Sequence, residues 1–75
     1  MTDSVKTPLG EIEAPYGRRI RFDDVAYESG LKMLRLTVRE GARYTVLEID
    51  AATASLWAEK LMAWAASDAR PFVAP

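Results

Sequence analysis

The densest group of basic side chains in the sequence is the segment YGRRIRF, residues 16–22, which places three arginines within four positions. Guanidinium groups beside aromatic rings can bind phosphates and stack on nucleobases, so this segment could contact single-stranded nucleic acid. Carboxylates on a neighbouring strand could instead neutralise the arginines and leave a solvated ladder of ion pairs. The strand register decides between these two interpretations.

The other polar residues offer little for catalysis. The chain has no cysteine and no histidine, which excludes thiolate nucleophiles, disulfides, thiolate metal sites and imidazole acid–base chemistry. Asp23, Asp24 and Glu28 lack the spacing of a calcium loop, and Ser55 has no histidine that could act as its base. We therefore expect no enzyme activity, no catalytic residue, no metal site and no cofactor.

Length and composition indicate one small globular domain. The chain has 75 residues, of which 49% are hydrophobic, and a net charge of −1. It has no apolar run long enough to span a membrane and no signal-peptide pattern, so we expect a cytoplasmic protein without membrane contacts. Residues 16–45 hold seven bases and four acids, which weakly favours an anionic partner.

Apolar and polar residues alternate along most of the chain after residue 8, and this period of two is typical of half-buried β-strands. The face formed by the alternating apolar residues is called the inner face, and the opposite one the outer face. The inner face comprises Ile12, Ile20, Phe22, Leu34, Leu36, Val38, Leu47 and Ile49. Three turn signals separate the strands, namely Pro15-Tyr16-Gly17, Ser29-Gly30 and Gly41-Ala42.

The first and third turns predict registers that agree with this pattern. A three-residue loop at residues 15–17 pairs Ile12 with Ile20, and a two-residue type II′ loop at Gly41-Ala42 pairs Leu36 with Leu47. All four side chains then lie on the inner face, as their apolar character requires.

The second turn agrees less well with the pattern. A two-residue loop at Ser29-Gly30 pairs Val25 with Leu34, but it leaves Phe22 out of register by one residue. A β-bulge at Asp23-Asp24 would restore the pairing of Phe22 on the inner face, so we predict a bulge there.

After Asp50 the period changes to that of a helix. Residues 50–66, DAATASLWAEKLMAWAA, predict a helix with Asp50 as its N-cap. One apolar stripe at helical spacing contains Ala54, Trp57, Ala58, Leu61, Trp64 and Ala65. We expect this stripe to cover the inner face, with both tryptophans in the core.

These elements predict an α+β fold: a four-stranded antiparallel meander in the order 1-2-3-4 with one C-terminal helix packed on one face. We expect a flexible N-terminal tail at residues 1–8, a single β-β-β-β-α domain at residues 9–67, and a C-terminal tail at residues 68–75.

The registers predict that carboxylates lie opposite most of the arginines, which favours a charge ladder over a binding patch. The expected pairs are Arg19–Glu13, Arg21–Glu11, Arg35–Glu48 and, at the third turn, Arg43–Glu40. A smaller candidate binding patch remains on the outer face, where Arg39 lies opposite Tyr44. This candidate patch consists of Arg19, Arg21, Thr37, Arg39, Tyr44 and Val46.

A second candidate surface lies at the margins of the helical stripe. Leu56 and Met62 lie at its opposite margins, and one helix could leave part of the inner face uncovered. These features predict a homodimer contact at Leu56, Met62 and Phe72.

The order of elements, with LEIDAATASLWAEKL at the junction of last strand and helix, resembles the single-stranded-DNA-binding domain of positive-cofactor-type transcriptional coactivators over about residues 18–64. The resemblance implies a dimer and a DNA-binding sheet face, with Arg19, Arg21, Arg39 and Tyr44 at the matching positions. The whole chain also resembles the short uncharacterised conserved proteins of bacteria, which imply no activity.

From the residues, we expect a small non-enzymatic protein-interaction domain that binds a protein partner or a second copy of itself. The alternative is weak single-stranded nucleic-acid binding through the outer face.

Overall fold

The computed structural model describes residues 4–68, which form a four-stranded sheet followed by one helix. The elements are β1 (Ser4–Ala14), β2 (Arg18–Tyr27), β3 (Lys32–Glu40), β4 (Arg43–Ile49) and α1 (Ala51–Asp68). All neighbouring strands are antiparallel and their order is β1-β2-β3-β4. The predicted α+β class, the strand order and the C-terminal helix are confirmed.

The first and third hairpins have the predicted registers. Ile12 lies opposite Ile20 across the first, and Leu36 lies opposite Leu47 across the third. In the third loop Gly41 has a φ of 59° while Ala42 has no positive φ, as a type II′ turn requires. In the first loop Tyr16 has a φ of 66°, a left-handed conformation that is uncommon for a residue with a Cβ.

The second hairpin differs from the prediction. The Tyr27 N–H donates to the Leu31 carbonyl at 2.8 Å, so the loop has three residues, 28–30, with Gly30 at a φ of 95°. The extra loop residue restores the register by itself, and β2 and β3 pair without any shift. The bulge predicted at Asp23-Asp24 is therefore wrong, because the loop supplies the residue that the bulge was needed for.

This register puts Val25 and Tyr27 on the opposite side of the sheet from the predicted one. Val25 lies opposite Met33, and Asp23 lies opposite Arg35. Since partners across a ladder share a face, Asp23, Val25 and Tyr27 lie on the outer face together with Arg35. Val25 was expected on the inner face opposite Leu34, and that expectation is also wrong.

The first strand begins earlier than predicted and carries the bulge. Residues 4–8, assigned to a flexible tail from their polar composition and Pro8, pair with residues 23–27. The register shifts between Pro8 and Gly10, where Leu9 is the additional residue and Gly10 has a φ of 139°. Proline and a bulge are typical of an edge strand, which β1 is.

The helix begins at the predicted cap. The Thr53 N–H donates to Asp50 Oδ1 at 2.9 Å, which satisfies one of the backbone donors at the helix start. Thr53 lowers the pKa of Asp50 through its side chain and its backbone N–H. The helix extends to Asp68, and residues 69–75, including Phe72, lie outside the described part of the chain.

Burial is the largest difference from the prediction. Among the described residues only Val25, Leu36 and Ile49 are buried apolar side chains. Helix α1 contacts β3, but Trp57 remains 38% exposed and Trp64 69% exposed. The expectation that both tryptophans lie in the core is wrong, because the helix stripe is covered only near its start; Trp57, which is nearer that end, is the less exposed of the two.

The three-residue loop requires a positive φ at Gly30. No atom lies within 4 Å of the position that a Cβ would take there, so a side chain meets no steric obstacle and only the positive φ opposes it. We expect Gly30→Ala to lower the free energy of unfolding by about 1 kcal/mol, and Gly30→Asn to lower it less because asparagine tolerates this conformation. Urea unfolding measures both, and equal stability of Gly30→Ala and the natural chain would contradict the loop assignment.

Candidate interaction surfaces

Arg19, at the centre of the arginine-rich segment, is held by two carboxylates. It lies on β2 beside β1, and its guanidinium contacts Glu11 at 3.2 Å and Glu13 at 3.1 Å. Only the Glu13 contact was predicted. The second contact arises because the arginine side chain is long enough for its guanidinium to reach Glu11 as well, two residues away from Glu13 on the same face of β1. The positive charge of Arg19 is therefore largely neutralised by its neighbours, and it attracts an external anion only weakly.

Arg21 pairs with Asp23, which the sequence analysis had assigned to a bulge. Its Nε lies 3.2 Å from Asp23 Oδ2, since residues two apart on a strand share a face. Asp23 is only 1% exposed, and its other oxygen, Oδ1, has no hydrogen-bond partner. Burying a carboxylate is costly unless it is paired, so the contact with Arg21 stabilises this part of the outer face. The predicted Arg21–Glu11 pair is absent.

Tyr27, Arg35 and Glu48 form a hydrogen-bonded cluster across β2, β3 and β4. The Tyr27 hydroxyl donates to Glu48 Oε1 at 2.6 Å, and Arg35 donates to Glu48 Oε2 through Nε at 2.8 Å and a terminal nitrogen at 2.6 Å. The Arg35–Glu48 pair was predicted, whereas Tyr27 was not, because the predicted register left it out of this face.

The cluster changes the ionisation of its members. The hydrogen bond from Tyr27, followed by that from Arg35, holds the pKa of Glu48 below its ordinary value. The hydrogen bond to Glu48 also raises the pKa of Tyr27 and that of Arg35. Glu48 therefore stays charged and Arg35 stays fully engaged at neutral pH.

Arg39 is the member of the candidate patch with an open environment. Its guanidinium lies 5.9 Å from the centroid of the Tyr44 ring, and its Nε donates to the Gly41 carbonyl at 3.1 Å. Within residues 4–67 it has no carboxylate partner. Across the sheet it lies opposite Arg19, and the two like charges are separated because Arg19 turns toward β1 and Arg39 toward Tyr44.

The ion pair that Glu40 forms near the third turn also differs from the prediction. Glu40 forms its ion pair with Arg18 on β2, not with Arg43. Glu40 lies opposite both arginines in the ladder, so either pair was geometrically possible. Arg18 also lies 5.7 Å from the centroid of Tyr16.

The register places the whole candidate patch, namely Arg19, Arg21, Thr37, Arg39, Tyr44 and Val46, on the outer face. Its charge, however, is almost balanced by neighbouring carboxylates. The face carries five cations and four carboxylates: Lys6, Arg19, Arg21, Arg35, Arg39, Glu11, Glu13, Asp23 and Glu48. Such a face attracts a polyanion only weakly.

Helix α1 presents the second surface, and it is the more unusual one. Every residue from Ser55 to Ser67 is exposed, including five large apolar side chains. These are Leu56, Trp57, Leu61, Met62 and Trp64. The predicted dimer-contact residues Leu56 and Met62 are thus 61% and 73% exposed, but the tryptophan stripe between them is exposed as well. The sequence pattern identified this stripe as apolar, and no sequence signal indicated that it would be uncovered.

Neither a metal site nor a membrane span is present in the part of the chain that the structure describes. Residues 4–68 contain no group of three carboxylate, histidine or cysteine side chains that could hold a metal ion. No helix within them is long and apolar enough to cross a membrane.

Comparison with known proteins identifies a family. The model of the family of unknown function DUF6967 matches residues 3–67, nearly the whole chain, and the chain therefore belongs to that family. No curated protein matches the sequence, and no solved structure matches it either. The resemblance to transcriptional coactivator domains receives no support from these comparisons.

The Tyr27–Arg35–Glu48 cluster predicts a specific pH dependence. Since the pKa of Glu48 is lowered in the folded state, its contribution to stability is present above the ordinary glutamate pKa and is lost as the pH falls through the lowered value. Replacing Tyr27 with phenylalanine removes the largest cause, so we expect the Glu48 pKa to rise and the acid-dependent loss of stability to shrink. Carboxyl ¹³C NMR titration measures this pKa. Tyr44→Phe is the matched control, and a Glu48 pKa unchanged by Tyr27→Phe would contradict the assignment.

Proposed function

We propose that this chain is a small non-enzymatic domain of the cytoplasm that acts by binding protein, and that helix α1 is its contact surface. The observation that carries the proposal is the exposure of five large apolar side chains on one regular helix. Helices whose apolar residues face solvent in isolation are usually covered in the functional state.

The composition of α1 supports this proposal. Between residues 51 and 67, twelve of seventeen residues are alanine, leucine, methionine or tryptophan, and only Glu59 and Lys60 are charged. The apolar residues also extend beyond one stripe, since Leu56 and Met62 lie on either side of it. A helix that stays permanently in water ordinarily has a charged face, and α1 has almost none.

The exposed indole area of α1 also supports this proposal. The exposed fractions of Trp57 and Trp64, 38% and 69%, together equal about one whole indole, on the order of 250 Å². Burying that area alone is worth about 6 kcal/mol before the costs of association are subtracted. The outer face offers no comparable gain, because most of its charges are already paired.

The polar clusters are better explained by structure than by catalysis. Both Glu48 oxygens accept hydrogen bonds from Tyr27 and Arg35, and Asp23 is buried beside Arg21. Neither cluster adjoins a nucleophile with a base in hydrogen-bond reach, which covalent catalysis requires.

One observation favours a second candidate function, weak binding of single-stranded nucleic acid. Arg39 lies over the ring of Tyr44, which is 60% exposed, and an arginine beside an accessible ring can bind a phosphate and stack on a base. This candidate ranks second because the surrounding face is nearly neutral.

The α1 proposal can be tested by photo-crosslinking in the natural host. A photo-reactive phenylalanine derivative at Trp64 should give a protein adduct of one defined mass, because this position lies within the contact surface. The same group at Glu59, on the opposite side of the helix, is the matched control and should give little adduct.

Specificity is tested by adding Leu61→Glu to the chain labelled at Trp64, which should abolish the adduct because a charge cannot be buried unpaired in the contact. Absence of any defined adduct from Trp64, or equal adducts from Trp64 and Glu59, would overturn the proposal.

The nucleic-acid candidate is tested separately with a labelled single-stranded oligonucleotide of mixed sequence. The expected binding is weak and falls with salt with a log–log slope of about −1, because the face has a small net charge. Arg39→Ala combined with Tyr44→Ala should abolish it. Arg43→Ala should not, since Arg43 lies opposite Glu40 on the inner face, away from the candidate patch. No binding at about 50 μM protein would remove this candidate and leave the α1 proposal unaffected.

A further inference from the structure

We infer that the partner of α1 is a second copy of this chain, and that the two copies meet along a seam formed by Ala54, Trp57, Leu61 and Trp64. The inference rests on the proposed function in taking α1 as the contact surface. It adds the identity of the partner and moves the contact from the stripe margins, Leu56 and Met62, to the stripe itself.

The seam has the spacing of helix–helix contacts. Its members are separated by three, four and three residues, which is the alternation that keeps apolar side chains facing a partner helix. At 1.5 Å per residue the 18 residues of α1 extend for about 27 Å, long enough for two heptads. None of the four seam residues is charged.

Exposure along the seam increases steadily away from the sheet. Ala54 is half-buried, and the exposed fraction then rises from 38% at Trp57 to 60% at Leu61 and 69% at Trp64. Ala54, in the first turn, is therefore partly covered by the chain's own sheet, and the open part of the seam begins at Trp57. The last three turns keep their apolar side open, so a partner helix can pack there without displacing an intramolecular contact.

The seam is complementary to itself. Trp57 lies four residues before Leu61 and Trp64 lies three residues after it, so an identical helix can place its own tryptophans on either side of Leu61 in a parallel or an antiparallel pair. The charges also permit this pairing. Glu59 lies on the opposite side of the helix, and Lys60 lies at the edge of the seam, where its long stem lets the ammonium group stay in water.

The small core favours a second copy over an unrelated protein. Only three apolar side chains are buried in the described 65 residues, and inner-face residues at both edges of the sheet remain open, with Ile12 53% and Leu47 38% exposed. Domains of this size are marginally stable alone and are often completed by oligomerisation. A second copy is always available in equal amount wherever the chain is made.

Sedimentation equilibrium of the full chain tests the inference. We expect a reversible dimer of twice the 8.3 kDa chain mass, with a dissociation constant on the order of 10 μM because the seam is short but its helix is preformed. Leu61→Glu should weaken dimerisation at least about 100-fold. Met62→Glu, at a position that is 73% exposed against 60% for Leu61 but off the seam, should change it less than about threefold.

Leu61→Glu could also unfold so small a domain, so a second pair of variants keeps the test decisive. The natural chain has no cysteine, and Leu61→Cys creates one thiol in the centre of the seam. Under mild oxidation it should form an interchain disulfide in either helix orientation, because each Leu61 then neighbours the equivalent residue of the second copy. Glu59→Cys, on the far side of the helix, should not.

The possible outcomes separate this inference from the proposed function. The inference of a second copy would be overturned by a monomer at 1 mM, about 100 times the expected dissociation constant, together with no disulfide from Leu61→Cys. A defined crosslink from Trp64 to a different protein would then leave the proposed function standing. A dimer that Met62→Glu disrupts and Leu61→Glu does not, or a disulfide from Glu59→Cys alone, would show self-association through another surface and overturn the seam.

Discussion

Each hairpin loop in this sheet fixes the register of the two strands that it joins, and with it the face on which every side chain lies. The loop between β2 and β3 has the largest effect, because β2 is flanked on both sides. Its three residues, closed by the Tyr27–Leu31 hydrogen bond, place Asp23 opposite Arg35 and bring Tyr27 within reach of Glu48. With a loop one residue shorter and no bulge, these side chains would lie on the inner face. The polar network of the outer face depends on that one residue.

The same register explains why an arginine-rich segment makes a nearly neutral surface. Arg19 and Arg21 lie on β2, between carboxylates of β1 and of β2 itself, and each is paired. Arg35 is paired with Glu48 on β4. Exposed pairs of this kind contribute little stability, but they cancel the field that a polyanion would feel. The chain thus has an outer face whose charges are nearly balanced and a helix whose apolar side chains are exposed.

The sequence predicts the parts of the structure that local chemistry decides. Alternation of apolar residues predicts the four strands, Pro15-Tyr16-Gly17 and Gly41-Ala42 predict two loops with their registers, and Asp50 predicts the helix start. The length of the second loop was predicted wrongly because two assignments fit the sequence equally well. A three-residue loop needs no bulge, and a two-residue turn at Ser29-Gly30 pairs Phe22 correctly if β2 contains a bulge. Pairing of residues 4–8 was missed because a polar segment with a proline resembles a tail, although an edge strand tolerates both. Exposure of Trp64 could not be predicted, since a pattern identifies the apolar side of a helix and does not identify what covers it.

In so small a domain, folding and association draw on the same apolar surface. Only Val25, Leu36 and Ile49 are buried apolar side chains among the described residues, and much of the apolar surface of the helix remains in water. A ligand that binds only the folded state adds to stability in proportion to the logarithm of its concentration. When that ligand is a second copy, stability rises with protein concentration itself. In the proposed dimer, the exposed seam of α1 would become part of a core shared between the two copies.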